Sequence, residues 1–416
     1  MTQPGRENRQ LARIRTASNE EVGQEIEYLA NRQDHFRELD YFLDLLKDGP
    51  QAVSKRTGRP LAALLCLQAP LELLHAYGLQ PFKLFGGSSA QSRLAAPSLP
   101  AIMCPMLRSA VGALCLEAND PDGALTSETI WILPTTCDWS VKFPVLAERI
   151  GLSLGSKVHR LELPHLKDRP ESQERWLEEV YHLNDFLRKN CGLRKTPRKD
   201  LSRSLDLYQR AWRALVGLSQ VRRQGKAPAI WALTIANSFF FDSIERWTDS
   251  LEKALTKFKE KEPGGSLKKV FLAGSPIFFP NLKLLRLFEE AGLEAVIDDL
   301  CSSERLFPGA VHYDDPSEHG LLKALAQRYH QSCLCPTFSD NDRRINSILA
   351  PSTKNLFEGV VYHVLKGCHP FDLESLQLEG PLKAHGLKFL RLETDYTAED
   401  SQNLLTRLEA FRGAMS

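Results

Sequence analysis

The sequence predicts an α/β protein with two lobes, each a doubly wound parallel sheet covered by helices. Two observations lead to this fold class. Short apolar runs alternate with amphipathic stretches in two parts of the chain, from 61 to 163 and from 270 to 392. Between them, from 170 to 262, the pattern is helical and heavily charged. Strand–helix alternation at this pace is typical of parallel sheets, and the charged stretch predicts a helical segment that joins the lobes.

Four segments follow from these patterns. Residues 1–55 carry apolar side chains at helical spacing and are predicted to form an N-terminal helical segment. Residues 56–169 are predicted to form the first lobe, 170–265 the helical connecting segment and 266–416 the second lobe. The connecting segment ends in Pro263-Gly264-Gly265, which is typical of a linker.

The predicted strands are short apolar runs, and the predicted helices have amphipathic periodicity. The strands of the first lobe are 61–67, 102–103, 129–133 and 158–163. Those of the second lobe are 270–273, 295–297, 333–335, 360–364 and 389–392. Predicted helices within the lobes include 71–77, 141–150, 282–291 and 320–329, and those of the connecting segment are 171–189, 201–223 and 235–259.

Composition and charge exclude several classes of protein. The chain has 416 residues, of which 43% are hydrophobic and 25% charged, as in a globular protein with an ample core. A net charge of +1 gives no overall attraction to nucleic acid or to an anionic membrane. The longest weakly polar stretch, 227–241, is too short and too polar to span a bilayer, and the N-terminus has no apolar signal-peptide core. We therefore expect a cytoplasmic protein that binds neither nucleic acid nor membrane.

Cysteine placement is the most informative feature of the sequence. The nine cysteines are expected to be reduced, because nothing indicates export. Six follow predicted strands at spacings of 38 and 33 residues in the first lobe and 34 and 33 in the second. They are Cys66, Cys104, Cys137, Cys301, Cys335 and Cys368. Because ligands gather at the carboxyl ends of parallel strands, each lobe is expected to present its own triad of thiolates, and the two triads are expected to meet in a cleft between the lobes.

Several interpretations of these cysteines compete. A single cysteine at a buried strand end is often only a small apolar residue. Six cysteines in two series of nearly equal spacing, which we call ladders, favour a set of ligands instead. Structural zinc requires four nitrogen or sulfur ligands, whereas each triad supplies three. Three thiolates suit a cubane iron–sulfur cluster with one open iron. Cys115, Cys191 and Cys333 lie outside the ladders and are predicted to be structural, although Cys333 competes with Cys335 as the ligand of that pair.

Three further residues are candidates for catalysis. Glu72 and His75 are three positions apart on a predicted helix just after Cys66, so they share a face and suit acid–base work. Ser275 follows a predicted strand in a tight turn, where its hydroxyl is a candidate substrate contact. The glycine-rich turn at 86–89 lacks the Lys-Ser/Thr pair of a P-loop, so we do not expect this chain to hydrolyse ATP.

Taken together, these residues resemble the 2-hydroxyacyl-CoA dehydratase/benzoyl-CoA reductase family, in particular its D-component-like subunits. The resemblance runs from about residue 56 to the C-terminus and keeps the family's order of motifs. The motifs are Cys66 with Pro70-Leu71-Glu72-Leu73 and Ala76-Tyr77-Gly78, Cys104-Pro105, Cys137-Asp138, Gly274-Ser275-Pro276, Asp298-Asp299-Leu300-Cys301 with Arg305, Cys335-Pro336, Gly359-Val360-Val361-Tyr362-His363 leading to Cys368, and Glu393-Thr394-Asp395-Tyr396. One departure is His369, where the family usually has an Asp after the last cysteine.

The resemblance implies two flavodoxin-like (Rossmann-like) lobes and an oxygen-sensitive iron–sulfur enzyme. It also implies a separate ATP-hydrolysing iron–sulfur activator that supplies single low-potential electrons. The substrate would be an acyl-CoA or a small oxidised molecule. One branch of the family works as a homodimer and carries a double cubane, and six cysteines are the number that a double cubane of eight irons requires.

Three hypotheses follow. The first is an activator-dependent enzyme with a double-cubane cluster. The second is one subunit of a heterodimeric (R)-2-hydroxyacyl-CoA dehydratase, with a paralogous partner and a single four-iron four-sulfur cubane. The third is an electron-transfer or activator-docking protein without a substrate of its own.

Overall fold

The structure is a computed structural model of the chain. It describes residues 4–415, except 85, 121–122, 127, 153, 156, 168, 266, 340–341 and 351–355. The described part contains two four-stranded sheets, in which all strand pairs are parallel. The predicted two-lobed α/β fold is therefore confirmed.

The first sheet has the strand order β2-β1-β3-β4. Three of its four strands, β1, β2 and β3, are buried along their whole length, as expected for a parallel sheet covered on both faces. The strands are β1 (Leu61–Leu64), β2 (Gln80–Lys83), β3 (Ile130–Pro134) and β4 (Val158–Leu161). The helices of this lobe are α4 (Leu71–Ala76), α5 (Ser89–Ala95), α6 (Pro105–Ala118) and α7 (Asp138–Arg149).

The second sheet repeats this order as β6-β5-β7-β8, so the two lobes share one topology. Its central strand β7 is buried at all seven positions. The strands are β5 (Lys268–Gly274), β6 (Leu293–Asp298), β7 (Gly359–Leu365) and β8 (Lys388–Thr394). The helices are α12 (Lys283–Glu290), α13 (Glu318–Gln331), α14 (Asp342–Leu349), α15 (His369–Ala384) and α16 (Ser401–Ala414).

The remaining helices precede the first lobe or connect the lobes. Those before the first lobe are α1 (Pro4–Ala30), α2 (Asp40–Asp48) and α3 (Gln51–Thr57). The connecting helices are α8 (Pro170–Asn190), α9 (Arg198–Arg223), α10 (Ala229–Asn237) and α11 (Ile244–Glu260). Helix α10 is apolar on all sides and buried, so it lies inside the protein. None of the helices in the described ranges is long and apolar enough to cross a membrane.

Two predicted strands are wrong, and one strand was missed. Residues 102–103 lie in a turn before α6, and 333–335 lie in the loop between α13 and α14. In the described part of the chain, neither run pairs with a strand of the two sheets. Strand β2 was missed because Gln80, Pro81 and Lys83 do not form an apolar run. Its proline is tolerated because β2 is an edge strand.

The two lobes and the connecting helices share one hydrophobic core, to which Leu64, Trp231 and Leu272 all belong. Direct contacts also join the lobes. The amide of Leu71 on α4 donates a hydrogen bond of 3.1 Å to the Tyr329 hydroxyl on α13. Helix α1 contacts both lobes, through Glu21 to the Ser88 hydroxyl in the first (2.6 Å) and through Glu25 to Arg286 in the second (3.0 Å).

Candidate functional site

A cavity of about 130 Å³ between the lobes has a wall rich in cysteine. All six cysteines predicted as ligands line it, together with one that was predicted to be structural. They are Cys66, Cys104, Cys137, Cys301, Cys333, Cys335 and Cys368. Residues of both lobes form the wall, and no described residue between 170 and 262 contributes to it.

Different local structures position these thiols. Cys66, Cys137, Cys301 and Cys368 follow strands β1, β3, β6 and β7, as expected for the ligand-binding edge of a parallel sheet. The other two ligand candidates do not follow a strand. Cys104 is the N-cap of α6, and Cys335 lies in the loop after α13.

The matched spacing of the two ladders does not reflect matched positions in the two sheets. Cys66 follows β1, which is a central strand, whereas Cys301 follows β6, which is an edge strand in the position of β2. The strand of the second lobe that corresponds to β1 is β5, and it is followed by Ser275.

The thiols form two groups of neighbours, and each group contains residues of both lobes. Burial raises the pKa of the Cys66 thiol to about 12, and Cys335 and Cys301 of the second lobe raise it further. Burial also raises the pKa of the Cys368 thiol, and Cys104 and Cys137 of the first lobe add to this rise. The first group is therefore Cys66, Cys301 and Cys335, with Cys333 adjoining it, and the second group is Cys104, Cys137 and Cys368.

The prediction that each lobe supplies its own triad is thus wrong. The reason is that segments of one lobe pack directly on cysteine-bearing turns of the other. A Cβ on Gly367, which precedes Cys368, would come within 2.0 Å of the Ile102 carbonyl oxygen. The Trp139 indole also approaches the Gly367 carbonyl, at 3.5 Å. These contacts bring the loop of Cys104 to the turn of Cys368.

Each cysteine of the second group caps a helix of twelve or more residues. Cys104, Cys137 and Cys368 are the N-caps of α6, α7 and α15. The Cys137 thiol accepts the backbone N–H of Ser140. Burial raises the pKa values of Cys104 and Cys368, and nearby backbone N–H groups of the first helical turn partly oppose this rise, although neither of these two thiols makes a capping hydrogen bond. A helix N-terminus stabilises a thiolate, so all three are suited to act as anionic ligands.

Cys333 is closer to the site than the sequence predicted. Burial raises the pKa of its thiol, and so do the neighbouring Cys335 and Cys66, whereas Arg305 and Lys167 oppose this rise. Burial also raises the pKa of Cys335, but Arg305 and a backbone hydrogen bond from Thr337 oppose this rise. The backbone hydrogen bond distinguishes Cys335 as the better supported thiolate of the two.

Two cations share the cavity with the thiols. The Lys83 ammonium lies 3.7 Å from the centre of the Phe278 ring. Burial lowers its pKa to about 8, an effect that Cys301 and Cys66 oppose. Arg305 forms an ion pair with Asp299, and its Nη2 atom is buried without a hydrogen bond to any described residue.

The donor set fits an iron–sulfur cluster. The described residues of the cavity wall include seven thiols and two cations but no carboxylate and no imidazole. Within the described part of the chain, no three Cys, His, Asp or Glu side chains lie close enough together to bind a single metal ion. Thiolates of an iron–sulfur cluster each bind a different iron, so they need not converge on one point. Buried thiols with raised pKa values also require a strongly cationic partner before they lose their protons.

A larger cavity of about 530 Å³ adjoins the cysteine cavity. Lys83, Phe278 and Leu306 line both. Its wall is rich in aromatic side chains, namely those of Phe82, Phe240, Phe241, Phe278 and Phe279. Helix α1 contributes to the wall through Ser18 and Asn19. A concave apolar space beside a group of reactive side chains has the character of a substrate site.

The three residues predicted as catalytic are not in the described wall of the cysteine cavity. Glu72 is fully buried, forms an ion pair with Arg328 and accepts a 2.9 Å hydrogen bond from Tyr329. The Nδ1 atom of His75 lies 2.6 Å from the Ser204 hydroxyl, and burial lowers the pKa of this histidine to about 4.

Ser275 is the one of the three that lies close to the cysteines. A hydrogen bond from its side chain lowers the pKa of Cys368, against the larger effect of burial. Its hydroxyl oxygen also accepts the backbone N–H of Leu365 at 3.0 Å. The structure therefore places Ser275 as a support for a candidate ligand.

Sequence reasoning missed Lys83 altogether and mentioned Arg305 only as part of a motif. Nothing in the local sequence distinguishes Lys83, which lies at the end of an edge strand without an apolar pattern. The capping role of Cys104 was detectable, because a proline directly after it at position 105 is a signal for the first residue of a helix.

The fold and the cavity define a two-lobed α/β protein with a set of thiols that lines a cavity between its lobes. A family model described as 2-hydroxyglutaryl-CoA dehydratase, D-component, matches residues 66–414. The chain belongs to this family, which confirms the resemblance found in the sequence.

Three relatives are similar over most of their length. The chain is 26% identical to the protein YjiM of Escherichia coli (strain K12), provisionally named a dehydratase subunit, over 86% of this chain and 92% of the relative. It is 22% identical to subunit beta of (R)-2-hydroxyglutaryl-CoA dehydratase of Acidaminococcus fermentans, over 86% and 93%. It is also 22% identical to lactoyl-CoA dehydratase subunit beta of Anaerotignum propionicum, over 85% and 91%.

Proposed function

We propose that this protein is an iron–sulfur enzyme that performs one-electron reductive chemistry on an acyl-CoA or a small oxidised molecule. The observation that carries the proposal is the pair of cross-lobe thiol groups in one cavity. Cys66, Cys301 and Cys335 would hold one cubane, and Cys104, Cys137 and Cys368 a second. When bound, such a cluster supplies single electrons at low potential.

The side chains of this protein prepare the cavity for an anionic cofactor. Backbone N–H groups at the three helix N-termini stabilise the thiolates of the second group. Lys83 and Arg305 add positive charge beside Cys301. Lys83 is buried and the Arg305 side chain is 14% exposed, so these charges act at a lower dielectric than they would in water.

The larger cavity is the proposed site for the substrate. Its aromatic wall would bury the apolar part of the molecule, and its border with the cysteine cavity would present a polar group to Lys83. Lys83 can hold an oxygen of the substrate by hydrogen bonding, and with a pKa of about 8 it can also donate a proton near neutral pH.

We propose that the electrons come from a separate ATP-hydrolysing activator. The glycine-rich turn at Gly87, the part of this chain most like a phosphate cradle, donates its backbone N–H to the Phe279 carbonyl at 3.0 Å. That N–H is therefore engaged in a contact between the lobes. ATP-driven reduction by the purified chain alone would contradict this part of the proposal.

A second candidate is a heterodimeric dehydratase with a single cubane. It is favoured by two of the relatives, which are named as beta subunits and match this chain over more than 90% of their length. In that case the isolated chain should be inactive and should associate with a paralogous subunit, whereas the double-cubane enzyme should form a homodimer.

Iron and acid-labile sulfide in anaerobically purified protein test the proposal. A double cubane should give about eight irons per chain and a single cubane about four. Fewer than about three irons per chain, with zinc or no metal instead, would refute both. A cluster that accepts electrons but turns over neither acyl-CoA nor small oxidised molecules would indicate an electron-transfer protein.

A further inference from the structure

Arg344 on α14 is one of the most deeply buried charged residues of the second lobe, with 1% of its side chain exposed. A buried guanidinium is costly unless its donors are matched by acceptors. Nε and Nη1 of Arg344 meet three acceptors on three different segments of the chain, whereas Nη2 has no hydrogen-bond partner among the described residues. Each of these segments either carries a candidate ligand or adjoins one.

The first contact is with the segment of Cys301. Arg344 forms an ion pair with Asp299, two residues before that cysteine. Asp299 also pairs with Arg305, whose Nε donates a 2.9 Å hydrogen bond to the Asp299 carbonyl oxygen. The Asp299 carboxylate therefore lies between two guanidinium groups, and one of them, that of Arg305, lines the cysteine cavity.

The second contact is with the loop of Cys335. Nη1 of Arg344 donates a 2.9 Å hydrogen bond to the carbonyl oxygen of Leu334, which lies between Cys333 and Cys335. This loop belongs to neither a helix nor a strand, so no regular hydrogen-bond ladder fixes it. The bond from Arg344 is thus a direct restraint on the backbone between the two thiols.

The third contact anchors the arginine itself. Its Nε lies 2.5 Å from a carboxylate oxygen of Glu374 on α15, the helix that Cys368 caps. Glu374 also accepts a hydrogen bond from the Tyr362 hydroxyl on β7. The guanidinium is therefore linked to the second sheet through Glu374 and the Tyr362 hydroxyl.

We propose that Arg344 is a positioning residue that holds the segments of Cys301 and Cys335 together and, through Asp299, aims Arg305 into the cysteine cavity. The planar fork of a guanidinium suits this task, because its donors reach several acceptors at once in fixed directions. A lysine supplies the charge but not the fork. The relevance of this positioning to a cluster rests on the proposed function, whereas the positioning itself does not.

Thiol crosslinking in the full-length, metal-free chain tests the inference directly. The bifunctional alkylating reagent dibromobimane joins two neighbouring thiols, and peptide mapping identifies the pairs. We expect the yield of the Cys301–Cys335 crosslink to fall at least about fivefold in Arg344→Met and by less in Arg344→Lys, which keeps the charge. The Cys104–Cys137 crosslink should not change, since both residues belong to the first lobe.

The neighbouring Arg343 provides a matched control, because it is exposed on the same helix. Arg343→Met should leave both crosslinks unchanged. The thermal midpoint of each variant separates local displacement from general unfolding, and Arg344→Lys serves if Arg344→Met does not fold. An unchanged Cys301–Cys335 yield in both Arg344 variants would overturn the inference, as would the absence of this crosslink in the wild-type chain.

A second measurement relates the positioning to the cofactor. In anaerobically purified Arg344→Met, iron should fall from about eight to about four per chain, and by less in Arg344→Lys, because only the group of Cys66, Cys301 and Cys335 is displaced. Wild-type protein without iron would refute the proposed function, and the crosslink yields would still decide the inference. Iron retained in full by both Arg344 variants would count against the inference.

Discussion

Gly87 of the first lobe lies directly against Phe278 of the second, and a Cβ atom at position 87 would come within 1.9 Å of the Phe278 carbonyl oxygen. The same glycine donates its backbone N–H to the Phe279 carbonyl at 3.0 Å. Phe278 lines both cavities. Because both thiol groups contain residues of each lobe, this backbone contact helps to set the distance between their members.

The first prediction tests that contact. Gly87→Ala should force the lobes apart, because the obstructing atom is a backbone oxygen that cannot rotate away. We expect a loss of about 1–3 kcal/mol in the free energy of unfolding and a lower iron content per chain. Gly86→Ala is the control, since its Cβ would meet nothing closer than 3.4 Å. Equal stability and iron content in the two variants would contradict this role of Gly87.

The sequence predicted most of the fold because the central strands are largely apolar runs, as at β3, where all five residues are apolar and buried. It did not reveal β2, whose proline and polar residues are acceptable only because this strand lies at the edge of the sheet. The site was predictable in part. Periodic cysteines pointed to one edge of each sheet, but their grouping depends on how the lobes face each other. That arrangement is fixed by contacts such as Trp139 with Gly367, which no local pattern contains.

The second prediction concerns Glu72, which the sequence suggested as an acid–base residue. In the structure it is buried in an ion pair with Arg328. Glu72→Gln leaves that guanidinium buried without its counter-charge, and this should cost about 3–5 kcal/mol of unfolding free energy. Chemical denaturation measures the loss, with the exposed Glu174→Gln as the control. Iron per folded chain should stay unchanged, and a stable variant that has lost turnover would instead restore the catalytic role.

The third prediction is a dependence of stability on pH. His363 on β7 is buried, and desolvation lowers its pKa from 6.5 to about 4. The unfolded chain therefore binds a proton near pH 6.5 that the folded chain binds only near pH 4. The stabilisation that comes from keeping His363 neutral is complete above pH 6.5 and is lost as the pH falls toward 4. This loss lowers the free energy of unfolding by at most about 3 kcal/mol.

Denaturation curves at several pH values between 7 and 4 measure this effect. His363→Gln should show a smaller decrease in unfolding free energy over this range than the wild type, by about 1–3 kcal/mol. The exposed His385→Gln serves as the control and should follow the wild type. Parallel curves for His363→Gln and the wild type would show that His363 is not kept neutral in the folded state.

The last prediction separates Cys335 from Cys333, since both line the cavity. Arg305 lowers the pKa of both thiols, but only Cys335 also accepts a backbone hydrogen bond, from Thr337, so its thiolate is the better supported of the two. Cys335→Ser should therefore lose the irons of one group, about four of eight, whereas Cys333→Ser should retain all of them.

Cys66→Ser and Cys301→Ser should match Cys335→Ser, because these three thiols form one group. Cys104→Ser, Cys137→Ser and Cys368→Ser should remove the other half. Cys115 and Cys191 are absent from the described wall and serve as controls, and their substitution by serine should leave iron unchanged. Loss of iron in Cys333→Ser with full retention in Cys335→Ser would reverse the assignment, because the thiolate with the stronger hydrogen-bond support would then not be the ligand.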